Sequence, residues 1–156
     1  MRTSNVLLLL GLAATVGLSV FGYFVWQAVT VDRSEPRHAL QEFTAIRNSL
    51  GTTEAMLRVD ESGQVVRGTL LTVKGGRRPS KLKVLAYQAG EQRLARASVP
   101  IWFYKLKGPA VQFALRGIEI DLKRLGLTAG DLEQHGPGLV LDETRLNGDR
   151  LLIWTE

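Results

Sequence analysis

Cysteine is absent from the chain of 156 residues, and only two histidines are present. Without thiols the protein can form no disulfide and no iron–sulfur cluster, and zinc sites that use sulfur ligands are excluded as well. We therefore expect no cofactor and no metal site. The absence does not determine the compartment, because a cytosolic domain and a periplasmic domain without disulfides can both lack cysteine.

Charged residues are absent from positions 3–31, which form a hydrophobic run. As a helix at about 1.5 Å per residue, positions 6–26 would span roughly 31 Å, the hydrocarbon thickness of a bilayer. The run is too long for a cleaved signal peptide, and no small-residue cleavage site precedes Asp32. The sequence therefore predicts a short tail at 1–5 and one transmembrane helix, a signal anchor, at 6–31.

Two sequence signals for the orientation of such an anchor point in opposite directions. A count of flanking arginines leans slightly toward a domain in the cytoplasm, whereas a five-residue tail before an apolar run is typical of anchors that export the domain behind them. We favour export. The prediction is a single-pass membrane protein of the cell envelope whose domain is extracytoplasmic.

Positive charge is concentrated in the middle of the chain. Positions 61–108 hold ten Lys and Arg against two acids, whereas positions 109–156 hold five against eight. A basic segment attracts anionic lipid or an acidic protein partner, or it is neutralised by the acidic end of its own chain. The sequence leaves these alternatives open, and beside a membrane anchor no nucleic acid is expected as a partner.

The remaining pattern predicts an α+β domain that follows the transmembrane helix. Pro36 fits the first position of a helix, and apolar residues recur at helical spacing until Gly51, which indicates a juxtamembrane stem with an amphipathic helix at 32–54. Short alternating runs from 55 to 156 indicate an antiparallel sheet of about five to seven strands with short helices.

Two local motifs in the last third have a clear physical meaning. Thr128 and Asp131 have the spacing of a capping box, which predicts a short helix that ends at His135. Asn147-Gly148 lies between two strand-like runs and predicts a tight hairpin, because both residues accept the positive φ angles of such turns.

Positions 98–109 read SVPIWFYKLKGP, with three consecutive aromatic residues beside lysines. Successive side chains of a strand point to opposite faces, so three neighbouring aromatics cannot all enter one core. Aromatic surface beside lysines is typical of a partner-binding or membrane-binding surface. A basic loop at 74–80 adds two arginines to this picture. The predicted contact surface consists of Trp102, Phe103, Tyr104, Lys105 and Lys107, with Arg77 and Arg78 as a supplement.

Candidates for catalysis are few. His135 is explained by its predicted place at a helix C-terminus, where the helix dipole favours it. Glu119 and Asp121 could share one face of a strand, but a solvated face is the commoner reason for such a pair. No catalytic residue is predicted.

The preferred function is a membrane-tethered, non-enzymatic accessory or assembly domain that contacts a protein partner or the anionic membrane surface. The alternative is a carrier of lipid or another apolar ligand, with a pocket that opens toward positions 100–107. A third and less favoured function is a hydrolase, which would need His135 within hydrogen-bond reach of a Ser, a Thr or a carboxylate.

Overall fold

A computed structural model describes residues 29–51, 54–60, 64–68, 77–107, 112–115, 118–121 and 125–156. Three helices and nine strands lie in these ranges. In chain order they are β1 (Val29–Arg33), α1 (Pro36–Ser49), β2 (Leu57–Val59), β3 (Val65–Arg67), β4 (Lys81–Gln88), β5 (Arg93–Pro100), α2 (Ile101–Lys107), β6 (Gln112–Leu115), β7 (Ile118–Asp121), α3 (Ala129–His135), β8 (Gly138–Thr144) and β9 (Arg150–Thr155).

Seven of the strands form one mixed sheet in the order β1-β5-β4-β9-β8-β2-β3. Strands β5, β4 and β9 run antiparallel beside one another, and Leu85 of β4 lies between Arg96 on one side and Leu152 on the other. The β2 strand joins β8 in parallel, with Leu57 opposite Leu141, and β3 then pairs with β2 in an antiparallel hairpin. Strands β6 and β7 pair separately with each other.

Helix α1 covers one face of this sheet. Its buried residues, Ala39 and Phe43, are four positions apart and therefore lie on the same side of the helix. They pack in one apolar cluster with Leu85, Leu152 and Trp154. Because Pro36 begins α1 and Gly51 has a φ of +75° just after its end, both predicted ends of this helix are confirmed.

The opposite face is covered by α2, α3 and the segment that leads into α3. Val84 precedes Leu85 in β4, and its side chain therefore points to the other face of the sheet. It belongs to a second apolar cluster that contains Ile101 and Tyr104 of α2 and Leu132 of α3. The sheet is thus the middle of three layers, and α2 rests on a buried core.

The prediction of a transmembrane helix at 6–31 is wrong. Positions 29–31 begin β1, which pairs antiparallel with β5 from Val29 opposite Ala97. Among the residues that the structure describes, no helix is long and apolar enough to cross a membrane. Positions 6–28 and the tail at 1–5 lie outside the described residues. The same finding contradicts three predictions that depended on this helix: a single-pass membrane protein, a signal anchor and an extracytoplasmic domain.

The physical reason for this error is visible in β1 itself. Val29 and Val31 are half-buried and pack against the core of the sheet, while Thr30 between them is exposed. This alternation is the pattern of a strand. Valine and other β-branched residues are compatible both with a membrane helix and with a buried strand, because both surroundings are apolar. Hydropathy alone does not distinguish the two, so the predicted helix extended too far.

The predicted architecture of an antiparallel sheet behind a membrane helix is also corrected. The sheet is mixed, because β2 and β8 run in parallel. Parallel strands cannot be joined by a short hairpin, so they are far apart in the chain. No local turn motif therefore predicts that they pair.

Candidate functional site

The three aromatic residues of the predicted contact surface lie on α2 and not on a strand. Ile101 and Tyr104 are three positions apart and both are buried, with 3% and 1% of their surface exposed. Phe103 is partly buried and packs against the same core. Trp102 points away from it, with 61% of its surface exposed. The helical spacing therefore separates one exposed ring from its buried neighbours.

Tyr104 fixes α2 to the rest of the protein. Its hydroxyl donates a 2.7 Å hydrogen bond to the backbone carbonyl oxygen of Leu127, just before α3. Burial raises the pKa of Tyr104 above its ordinary value, and the negative charge of Asp131 adds to this rise. The phenol therefore stays neutral and keeps its hydrogen bond over the whole physiological range.

The ring of Trp102 is also held by its neighbour. It meets Phe103 edge to face, with 6.0 Å between the ring centroids and an angle of 90° between the planes. This is a favourable geometry for two aromatic rings. An exposed tryptophan on a helix with two buried anchors has a restricted position, which lowers the entropy cost of binding.

Of the two lysines of the predicted surface, only Lys105 has a side chain within the described residues. The ammonium of Lys105 lies 2.6 Å from a carboxylate oxygen of Glu133, so it joins α2 to α3. Half of the Lys105 side chain remains exposed. Lys107 ends α2, and its side chain lies outside the described residues.

The two arginines of the predicted surface lie in a segment that contacts the start of α2. Arg77 and Arg78 are exposed, and they directly precede the buried Pro79. The carbonyl oxygen of Ser80 accepts a 3.0 Å hydrogen bond from the backbone N–H of Ile101, the first residue of α2. The fold therefore brings the segment 77–80 to the start of the helix that carries Trp102.

The burial and the hydrogen bond of His135 indicate a structural role. It is buried, and its Nε2 lies 3.1 Å from the carbonyl oxygen of Leu139. Its Nδ1 has no hydrogen-bond partner in the part of the chain that the structure describes. Burial lowers the pKa of His135 below its ordinary value, and the Leu139 carbonyl opposes this effect only in part. The described contacts of the ring therefore include no Ser, Thr or carboxylate of the kind that a hydrolase needs.

Glu119 and Asp121 lie in β7, and their side chains are outside the described residues. Within the described ranges, no group of three or more His, Asp and Glu side chains could hold a metal ion.

A polar cleft of about 380 Å³, which no sequence motif predicted, lies on the α1 face of the sheet. At its wall the guanidinium of Arg96 donates two 2.5 Å hydrogen bonds to Glu42 of α1 and one of 2.9 Å to Asp32 of β1. An arginine between apolar residues of β5 was the available signal. The carrier hypothesis needs an apolar pocket near positions 100–107. This cleft is lined by polar and charged residues, and none of them lies at positions 100–107. It is lined by Arg33, Ser34, Glu35, His38, Glu42 and Arg96.

Comparison with known proteins adds no assignment, since no family model, no curated protein and no solved structure matches the chain.

Proposed function

We propose that the protein is a non-enzymatic binding module that contacts a protein partner through the exposed side of α2, with Trp102 as the central anchor. The observation that carries this proposal is the contrast within one short helix. Ile101 and Tyr104 are buried almost completely, whereas 61% of Trp102 is exposed. A large apolar ring is thus presented to solvent from a firmly attached element.

The energetic argument concerns the exposed ring. A tryptophan buries about 150–250 Å² when it is fully enclosed, so covering the exposed part of Trp102 would remove about 100–150 Å² from water. At about 25 cal/mol per Å² this contributes about 2.5–4 kcal/mol. That contribution is typical of a hot-spot residue, and tryptophan is among the residues most enriched at hot spots.

The surroundings of the ring support the same function. Lys105, three positions after Trp102 on the same helix, forms a partly exposed ion pair with Glu133, as expected for the polar rim around an apolar anchor. The cluster of apolar residues under α2 gives the surface a rigid base. A partner with an apolar pocket for the indole ring would therefore find a surface that needs little rearrangement.

The test is affinity capture with the full-length chain as bait, followed by binding measurements with each purified candidate. We expect at least one protein to bind the wild type and to be lost with Trp102→Ala. With the purified partner, the variant should bind at least about 30-fold more weakly, which corresponds to at least about 2 kcal/mol, the threshold of a hot-spot residue.

The matched control is Leu146→Ala, which removes another exposed apolar side chain, in the turn between β8 and β9. We expect it to bind as the wild type does. The unfolding free energy of Trp102→Ala should fall by no more than about 1.5 kcal/mol, which is the upper contribution of its edge-to-face contact with Phe103. If every captured protein binds Trp102→Ala and the wild type equally well, the proposal is wrong.

A further inference from the structure

A pair of arginines lies near the start of the helix that carries Trp102. Arg77 and Arg78 are exposed. No ion pair or side-chain hydrogen bond joins either of them to a described residue. Lys105 of α2, by contrast, is neutralised within the fold by Glu133. Within the described part of the chain, the positive charge of both arginines is therefore not neutralised.

The path of the backbone fixes where this charge lies. Ser80 is hydrogen-bonded to the first residue of α2, and a Cβ placed on Gly136 at the end of α3 would lie 3.9 Å from the carbonyl oxygen of Arg77. The arginine pair therefore lies between the start of α2 and the end of α3. From standard backbone dimensions, the Cα atoms of Arg78 and Trp102 are within roughly 18 Å of each other. About five residues of an extended peptide span that distance.

We infer that the segment of the partner that contacts this surface is acidic: an apolar side chain covers Trp102, and neighbouring carboxylates pair with Arg77 and Arg78. This inference rests on the proposed function and adds the chemistry of the partner to it. Guanidinium groups form two parallel hydrogen bonds with a carboxylate, and this geometry gives direction as well as attraction. Complementary charge at the rim would also accelerate association at low salt.

A protein segment fits these observations better than an extended polyanion. A bilayer or a nucleic acid gains affinity from the number of cations that contact its phosphates, and each one raises the affinity about fivefold at an anionic surface. Arg77 and Arg78 alone would give only about a 30-fold gain. An acidic peptide obtains most of its affinity from the covered indole ring, and it needs the arginines only for selectivity.

The experiment selects ligands from a phage-displayed library of random peptides on the full-length chain, with Trp102→Ala as the counter-selection. We expect the peptides that require Trp102 to carry Asp or Glu within about five residues of a large apolar residue. A synthetic copy of such a peptide should bind the double variant Arg77→Gln/Arg78→Gln at least tenfold more weakly. That loss should shrink in 0.5 M salt, because screening removes the contribution of exposed charges.

Two further variants separate charge from other effects. Arg77→Lys/Arg78→Lys keeps the charge and should retain most of the affinity, whereas Arg37→Gln removes an exposed arginine of α1 and should change nothing. Peptides that require Trp102 but carry no acidic residue would overturn the acidic-segment inference and leave the proposed function intact.

Failure of the proposed function would look different. If no selected peptide distinguishes the wild type from Trp102→Ala, the binding surface itself is wrong and the inference falls with it. If phosphatidylserine vesicles or single-stranded DNA bind through Arg77 and Arg78 while no peptide does, the partner is a polyanion and the inference is likewise overturned.

Discussion

The hydroxyl of Tyr104 provides a sharp test of how α2 is held. It is buried and donates a 2.7 Å hydrogen bond to the carbonyl oxygen of Leu127. Tyr104→Phe removes the donor, keeps the ring and leaves a buried carbonyl without this partner. The cost of such a change is about 1–3 kcal/mol. With an m-value of about 2 kcal/mol/M, the urea midpoint should fall by about 0.5–1.5 M.

The matched control is Tyr87→Phe on the other face of the sheet. The hydroxyl of Tyr87 is equally enclosed, but it has no hydrogen-bond partner among the residues that the structure describes. Removal of an unsatisfied buried hydroxyl should leave the stability unchanged or raise it. Unfolding can be followed by tryptophan fluorescence, because Trp154 is buried in the core.

The pH dependence gives a second measurement on the same variant. Since the pKa of Tyr104 is raised in the folded protein, the unfolded chain ionises first as the pH rises. The contribution of Tyr104 is complete below the unfolded pKa of about 10 and is lost as the pH rises through the folded value. The stability difference between wild type and Tyr104→Phe should therefore shrink above about pH 10. A loss below about 0.5 kcal/mol at neutral pH would refute the assigned role of this hydrogen bond.

Two other predictions concern single groups away from the proposed surface. Because burial lowers the pKa of His135, the unfolded state binds a proton before the folded state does, so the wild type should lose stability as the pH falls from about 7 to 5. His135→Gln should show a flatter urea midpoint over this range, and equal slopes would contradict the prediction. Glu42→Gln weakens the bidentate pair with Arg96 and should cost about 0.5–1 kcal/mol at low salt, since both side chains are partly exposed. The difference from wild type should diminish in 0.5 M salt, and a difference independent of salt would show that charge is not its cause.

Local signals in the sequence determined several elements correctly. The capping box of α3 is present as predicted, with the Thr128 hydroxyl accepting from the Asp131 N–H and the Asp131 carboxylate accepting from the Thr128 N–H. A hairpin at Asn147-Gly148 is also confirmed, but of these two residues only Gly148 has a positive φ, of +87°, and the loop between β8 and β9 spans residues 145–149. Such motifs are predictable because their hydrogen bonds and backbone angles involve residues within a few positions of each other.

The candidate surface was predicted in part. The sequence showed that three neighbouring aromatics could not all be buried, but it placed them on a strand. Only the tertiary structure decided that they belong to a helix, and that Trp102 is the exposed member while Tyr104 binds Leu127. Which side of a short helix faces a core depends on the sheet beneath it, and that sheet is assembled from distant parts of the chain.

Non-local pairing explains the remaining differences. The parallel contact of β2 with β8 and the ion pairs of Arg96 join residues more than 50 positions apart in the chain. Hydropathy of the first 31 residues determined that this segment is apolar, but not what it packs against. The valines of β1 are covered by the protein's own sheet, because pairing with β5 satisfies their backbone groups and burial against the core satisfies their side chains.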